Sequence, residues 1–146
     1  MDATTLKTLA QTVQNALGLE PQTCSPDGHG VYHFSWAPER SFSMYLGDSR
    51  HLILRSNLLT LGTDPESTER ILKILLRYNL AAFKTSYDQA ISFEGETGTV
   101  FCFRRLKADQ TTESTLIEAL EAYLNQLDFW YKILETEAPS SVALNA

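Results

Sequence analysis

The chain has 146 residues, 43% of them hydrophobic and 10% aromatic, and this size and composition predict a single folded domain. The 18 acidic residues exceed the 12 basic ones, and the net charge of −6 argues against nucleic acid and anionic membranes as main partners. The N-terminus lacks a basic segment followed by a long apolar run, so we expect no signal peptide and reduced cysteines in a cytosol.

The first predicted element is an amphipathic helix. Apolar residues recur at helical spacing from Leu6 to Leu17, Asp2 or Thr4 can cap its start, and Gly18 suits a left-handed end. Its apolar residues form a single stripe, which predicts one buried face.

Three short segments with alternating apolar residues follow. Residues 31–36, 41–46 and 51–58 each predict a strand with a covered face. The pair Gly47-Asp48 is a tight-turn signal, so the second and third strands are predicted to form a hairpin.

The central segment, residues 71–83, predicts a helix that is too short to span a membrane. Asp64 is a natural N-cap for it, with Pro65 at the first helical position. Winding this segment as a helix produces two apolar faces, so the helix is either buried within one subunit or shared with a second copy. The first face comprises Ile71, Ile74, Leu75, Tyr78 and Ala82, and the second comprises Leu72, Leu76, Leu80 and Phe83.

The remaining pattern predicts a second hairpin and a long closing helix. Ile91 and Phe93 mark a fourth strand, and the segment Glu94–Gly98 is a turn. A fifth strand follows, with Phe101 and Phe103 on one face and Val100 and Cys102 on the other. A helical stripe then runs to about Glu137. The expected fold is α+β, a two-layer α-β-β-β-α-β-β-α domain over residues 1–137 with a mainly antiparallel five-stranded sheet, followed by a flexible tail at 138–146.

The candidate chemical groups argue against catalysis. Cys24, His29 and His33 could bind zinc, but they lack a fourth ligand, and four strand residues span ~13 Å. Cys102 alternates within an apolar strand, which is typical of a small core residue. The sequence has no phosphate-binding loop or nucleophile motif, so we expect no enzyme, metal or cofactor.

With this order of elements and this acidic composition, the chain resembles the class I specificity chaperones of bacterial type III secretion. These form the effector-binding, Tir-chaperone-like family. The resemblance extends over residues 3–137, and it depends on element order, acidic charge and loose hydrophobic spacings. A glycine that often precedes the fourth strand in the family is absent from Thr85–Asp88 here. The matching positions are Leu75, Leu76, Asn79 and Leu80 of the central helix, Ile91, Phe93, Gly98, Val100 and Leu106 of the hairpin, and Leu116, Leu120, Tyr123, Leu124 and Trp130 of the closing helix.

The resemblance implies a cytoplasmic bacterial homodimer without catalysis. Such a dimer holds the N-terminal region of a secreted effector in extended form, soluble and competent for export, and the export apparatus is a further partner. We expect the dimer interface at Ile71, Ile74, Leu75 and Tyr78. We expect effector contacts at Leu6, Leu9, Val13, Phe34, Trp36, Phe42 and Met44.

Two alternatives remain open. One is a non-enzymatic regulatory adaptor dimer of similar topology, which has no secretion role. The other is a small metal- or cysteine-dependent enzyme that uses Cys24, His29 and His33.

Overall fold

The computed structural model describes residues 1–20, 24–85 and 89–137, and it confirms the predicted order of helices and strands. A short 3₁₀ turn, Ala108–Gln110, precedes the last helix. The predicted tail at 138–146 and the connection at 86–88 lie outside the described residues. The elements are α1 Ala3–Ala16, β1 Tyr32–Ala37, β2 Arg40–Asp48, β3 His51–Thr60, α2 Pro65–Thr85, β4 Gln89–Glu94, β5 Thr99–Lys107 and α3 Glu113–Glu137.

The five strands form one sheet in the order β1-β2-β3-β5-β4. β1 pairs with β2, β2 with β3, and β4 with β5, each time antiparallel. The prediction of an α+β fold with a mainly antiparallel five-stranded sheet is therefore confirmed. β1 and β4 lie at the two ends of the order.

Local sequence signals set the helix boundaries. The Asp2 carboxylate accepts a hydrogen bond from the backbone N–H of Thr5 at 2.7 Å and caps α1. Gly18 has a φ of +69°, the left-handed geometry that ends the helix without a Cβ clash. Asp64 caps α2 by accepting from the N–H of Ser67 at 3.3 Å.

The chain divides into two compact units. The first unit comprises Met1–Arg55 and Arg105–Leu124, and the second comprises Ser56–Arg104 and Asn125–Ala146. Both units contain helical and strand residues, and α3 contributes a segment to each.

The core of the first unit is built from α1, the first three strands and the start of α3. Phe42 lies near its centre: its ring stacks on Phe34 with centroids 5.1 Å apart and meets Tyr123 edge-on at 6.0 Å. Each large apolar side chain removed from water here contributes ~1.5–3 kcal/mol to stability. The buried apolar residues of this unit include Leu6, Leu9, Val13, Tyr32, Met44, Leu52, Leu54, Leu116 and Leu120.

The core of the second unit is built from α2, the second hairpin and the end of α3. Tyr78 of α2 meets Phe129 edge-on at 6.2 Å, and its hydroxyl donates to the carboxylate of Glu137 at 2.8 Å. The buried side chains include Leu58, Leu59, Ile71, Ile74, Leu75, Val100, Cys102, Leu127, Trp130 and Leu134. Among the described helices, none has the length and apolar character required to cross a bilayer.

Candidate functional site

The first candidate site is the free edge of β1. This strand pairs with β2 in a register that places Tyr32 opposite Met44 and Phe34 opposite Phe42. No other described strand pairs with its second edge. Such an edge presents backbone N–H and C=O groups to an extended peptide, which can add to the sheet as a further strand.

A cavity of about 350 Å³ lies beside β1 in the first unit. Three consecutive β1 residues line it, although neighbouring strand side chains point to opposite faces of a sheet. The lining of the cavity is therefore not confined to one face of β1. The lining residues are Gln14, Leu19, Glu20, Cys24, His33, Phe34 and Ser35.

The end of α1 forms a fixed wall of this cavity. Gln14 is buried, and its side-chain amide donates to the backbone carbonyl of Glu20. The N–H of Leu19 in turn donates to the carbonyl of Gln14 at 3.0 Å. These bonds close the helix end back on itself and hold Leu19 in the cavity wall.

Asp27 organises the loop that leads into β1. One carboxylate oxygen accepts from the N–H groups of His29 and Val31 at 2.8 and 3.0 Å, and the other contacts His33 Nε2 at 2.8 Å. The hydrogen bond from His33, followed by the two backbone donors, lowers the pKa of Asp27 to about 2. A single ionised carboxylate therefore ties the loop to the strand that carries the free edge.

The same histidine extends this chain of contacts to Ser43, whose Oγ lies 2.9 Å from His33 Nδ1. An Asp–His–Ser series invites comparison with a nucleophilic triad. The side chain of His33, however, is 60% exposed, and triad catalysis depends on a preorganised, water-excluded site. We interpret these contacts as a structural link between the loop, β1 and β2.

The two cysteines differ in access. Burial raises the pKa of Cys102 to about 12, and its side chain has no exposed surface. Cys24 is half-buried in the cavity wall, and burial raises the pKa of its thiol as well. Within residues 1–20, 24–85 and 89–137, no group of three His, Cys, Asp or Glu side chains is arranged to hold a metal ion.

The predicted effector contacts lie in the first unit, but most of them face its core. Trp36 is half-buried, with its ring 5.7 Å from that of Phe42. Whether any of the predicted residues contacts an effector stays a prediction, and Trp36 is the member of the set that is not buried. The buried members are Leu6, Leu9, Val13, Phe34, Phe42 and Met44, each with at most 7% of its surface exposed.

The second candidate site is an apolar surface on α2 and β4, which pack against each other. We call Leu76, Leu80 and Phe93 the α2–β4 surface; their exposed fractions are 72%, 62% and 49%. They are the large apolar side chains that stand open to water among the described residues. Exposed apolar side chains of this size, carried by two elements that pack together, are typical of an interaction surface.

The predicted dimer residues lie on the opposite face of α2. Ile71, Ile74 and Leu75 are between 3% and 5% exposed, and Tyr78 is half-buried against Phe129. The subunit's own core thus covers the face that we expected to turn outward. The assignment of the dimer interface to this face stays a prediction, and the exposure of the side chains favours the second face.

Sequence reasoning missed Leu19 altogether, and it considered Cys24 only for metal binding or catalysis and not as part of a cavity beside β1. They lie in irregular segments, so periodicity carries no signal for them. The signal for Leu80 was present, because the second apolar face of the central helix includes it.

Comparisons with known proteins agree with this fold. The model of the Tir chaperone protein (CesT) family matches residues 8–131. None of the curated proteins matches the sequence.

Three solved structures share the architecture. The ExsC–ExsE complex contains a chain that is 21% identical, with a TM-score of 0.67 over 92% of this chain and 97% of that one. A chain of the HopA1–SchA chaperone–effector complex is 16% identical, with a TM-score of 0.65 over 90% and 98%. The structure of the Yersinia pestis type III secretion chaperone SycH in complex with a stable fragment of YscM2 contains a chain that is 13% identical. Its TM-score is 0.55, over 85% of this chain and 98% of that one. At these identities the similarity establishes the fold alone.

Proposed function

Because the chain belongs to the Tir chaperone protein (CesT) family, we propose that it is a type III secretion chaperone that binds the N-terminal region of a secreted effector as a homodimer. Bound in this way, the effector region stays soluble, locally non-globular and competent for export. The similar solved structures include a chaperone–effector complex and a type III secretion chaperone with a bound fragment, and both support this proposal.

The observation that carries the proposal is the free edge of β1 with a cavity beside it. An effector segment that adds to β1 gains backbone hydrogen bonds along the strand. Its alternate side chains then fall next to the cavity, where Leu19 and Phe34 supply apolar contact. Backbone bonds contribute affinity for any extended chain, and the cavity adds selectivity for an apolar side chain.

This mode of binding suits a partner that lacks a fold of its own. Ordering an extended segment costs ~1–2 kcal/mol per backbone residue, so the chaperone has to supply a large preformed contact. The hydrogen bonds of Gln14 and Asp27 supply part of this preformed contact. They hold the end of α1 and the loop before β1 in place before a partner arrives.

We assign the homodimer contact to the α2–β4 surface, in place of the face first predicted. Leu76 and Leu80 are a helical turn apart on one side of α2 and retain most of their surface in the single chain. A two-fold interface would place this surface against its own copy and remove all three side chains from water.

The remaining parts of the proposal follow from the family. We propose a single chaperone domain over residues 1–137, a cytoplasmic location in a bacterium, and the export apparatus as a further partner. Neither catalysis nor a cofactor has a place in this function.

Thiol accessibility tests the site directly. The effector is first identified as the protein that co-purifies from the native cytosol, and its N-terminal region is then produced with the chaperone. We expect bound effector to slow alkylation of Cys24, because this thiol lines the cavity. Cys102 is the internal control, since it is fully buried and resists alkylation with or without effector.

A matched pair of variants completes the test. Leu19→Asp introduces a charge into the cavity and should weaken effector binding by ~1–3 kcal/mol, or about 5- to 150-fold in Kd. Leu61→Asp changes a leucine of similar exposure in the second unit and should leave the affinity unchanged. If the rate of Cys24 alkylation were unchanged in the complex, or if the two variants weakened binding equally, the effector would not bind at this cavity.

A further inference from the structure

A second cavity of the first unit lies where the β2–β3 turn meets the end of β5. Its volume is about 490 Å³. The N–H of Ala108 donates to the carbonyl of Arg50 at 2.8 Å, so a backbone hydrogen bond holds the two sides together. We call this cavity the basic cleft; it is lined by Met1, Ser49, Arg50, His51, Lys107, Ala108 and Asp109.

The lining of the basic cleft carries two cationic side chains and one carboxylate. Arg50 and Lys107 are exposed, and within the described part of the chain neither forms an ion pair. The neighbouring carboxylate of Asp48 is already engaged, accepting from the N–H of Arg50 at 2.7 Å and contacting His51 Nδ1 at 3.0 Å. The one carboxylate in the lining itself is that of Asp109.

We propose that the basic cleft binds a short acidic segment of a protein partner. Guanidinium and ammonium groups pair with carboxylates, and the cleft has room for several side chains of a peptide. The net charge of −6 disfavours a long polyanion such as a nucleic acid, whereas a short segment brings only a few carboxylates into the field of the protein.

This site is separate from the β1 cavity, with which it shares no lining residue. The two cavities therefore offer separate sets of side chains. It gives the first unit a surface for recognising acidic protein segments in addition to its strand edge.

The test uses the full chain and two short labelled peptides. One alternates glutamate with glycine, and the other has glutamine in place of every glutamate. Backbone amide resonances and fluorescence anisotropy report on binding. We expect the glutamate peptide to bind and to shift the amides of Arg50, His51 and Ala108, and the glutamine peptide to do neither.

Charge reversal separates local binding from long-range attraction. Arg50→Glu with Lys107→Glu should weaken binding of the glutamate peptide ~10-fold, because two attractive contacts become repulsive. Arg70→Glu with Lys132→Glu makes the same change in net charge at exposed positions of the second unit and should have little effect.

Three results would overturn the proposal. Equal effects of the two double variants would leave only long-range attraction. Amide shifts confined to other parts of the chain would place the peptide elsewhere. Tighter binding of inorganic phosphate than of the glutamate peptide, with the same amides shifted, would make the cleft a site for small anions.

Discussion

The two units of the molecule present different kinds of surface. In the first unit no described large apolar side chain is exposed, and the backbone edge of β1 with a cavity beside it is available to an extended chain. In the second unit, α2 and β4 carry three large apolar side chains that stand open to water. Each surface therefore suits a different partner.

A backbone edge recognises extension more than sequence, because every residue carries the same N–H and C=O groups. An exposed set of leucine and phenylalanine side chains needs a partner of complementary shape, which a second copy of the chain supplies in an invariant form. Under our proposal, the first unit binds a variable, unfolded chain and the second unit binds a fixed, folded one.

The largest expected effect comes from breaking the α2–β4 surface. Leu76→Asp with Leu80→Asp removes two side chains that each contribute ~1.5–3 kcal/mol when fully buried, and it places charges in the contact. We expect the mass from light scattering to fall from dimer to monomer with the helical content retained, since both residues are exposed in the single chain.

Arg70→Asp is the control for this test, because it introduces an aspartate at an exposed position of the same helix. It should leave the dimer intact. A wild-type protein that is monomeric at micromolar concentration would end the dimer proposal, and a double variant that stays dimeric would move the contact away from this surface.

The next effect distinguishes core residues from binding residues in the first unit. Phe42→Ala should lower the free energy of unfolding by ~3–5 kcal/mol, since Phe42 is 2% exposed and packs against Phe34 and Tyr123. Trp36→Ala should cost ~1–2 kcal/mol, because this side chain is only half-buried. Urea denaturation measures both. If Phe42→Ala kept wild-type stability but no longer bound the effector, Phe42 would be a binding residue and not a core residue.

The smallest effect concerns the loop beside β1. The pKa of Asp27 is lowered from 3.8 to about 2, chiefly by its hydrogen bond with His33. A lowered pKa means that the ionised carboxylate stabilises the fold above about pH 4, and that this contribution is lost as the pH falls towards 2. Asp27→Asn should therefore unfold at lower urea than the wild type at pH 7, and the two should converge near pH 2.

Amide exchange locates this effect. The N–H groups of His29 and Val31 donate to Asp27, so they should exchange faster in the variant. The N–H of Ala108 donates to a backbone carbonyl and serves as the control. Unchanged exchange at His29 and Val31 would contradict the role given to this carboxylate.

The element order could be predicted from sequence because its signals are local. Asp64 caps α2 from three residues away, and Gly18 ends α1 by its own geometry. Periodicity also revealed two apolar faces on α2, since it records the angle between side chains around the helix.

Which face is covered could not be predicted, because that depends on contacts distant in sequence. The ring of Tyr78 packs against Phe129, and its hydroxyl donates to Glu137, which is 59 residues away in sequence. The β1 cavity was missed for the same reason: Leu19 and Cys24 become neighbours of His33 only when the chain folds. The spacing of apolar residues along the sequence carries no information about such tertiary contacts.

The division of α3 between the two units has a consequence for synthesis on the ribosome. The first unit needs residues 105–124 to complete it, and the second needs residues from 125 onward. Chains generally fold as their parts emerge, N-terminal parts first, but here neither unit is complete until its own segment of α3 has left the ribosome. Until then the apolar faces of α1 and α2 lack the segments of α3 that complete their units, so the nascent chain itself exposes the kind of surface that attracts holding factors.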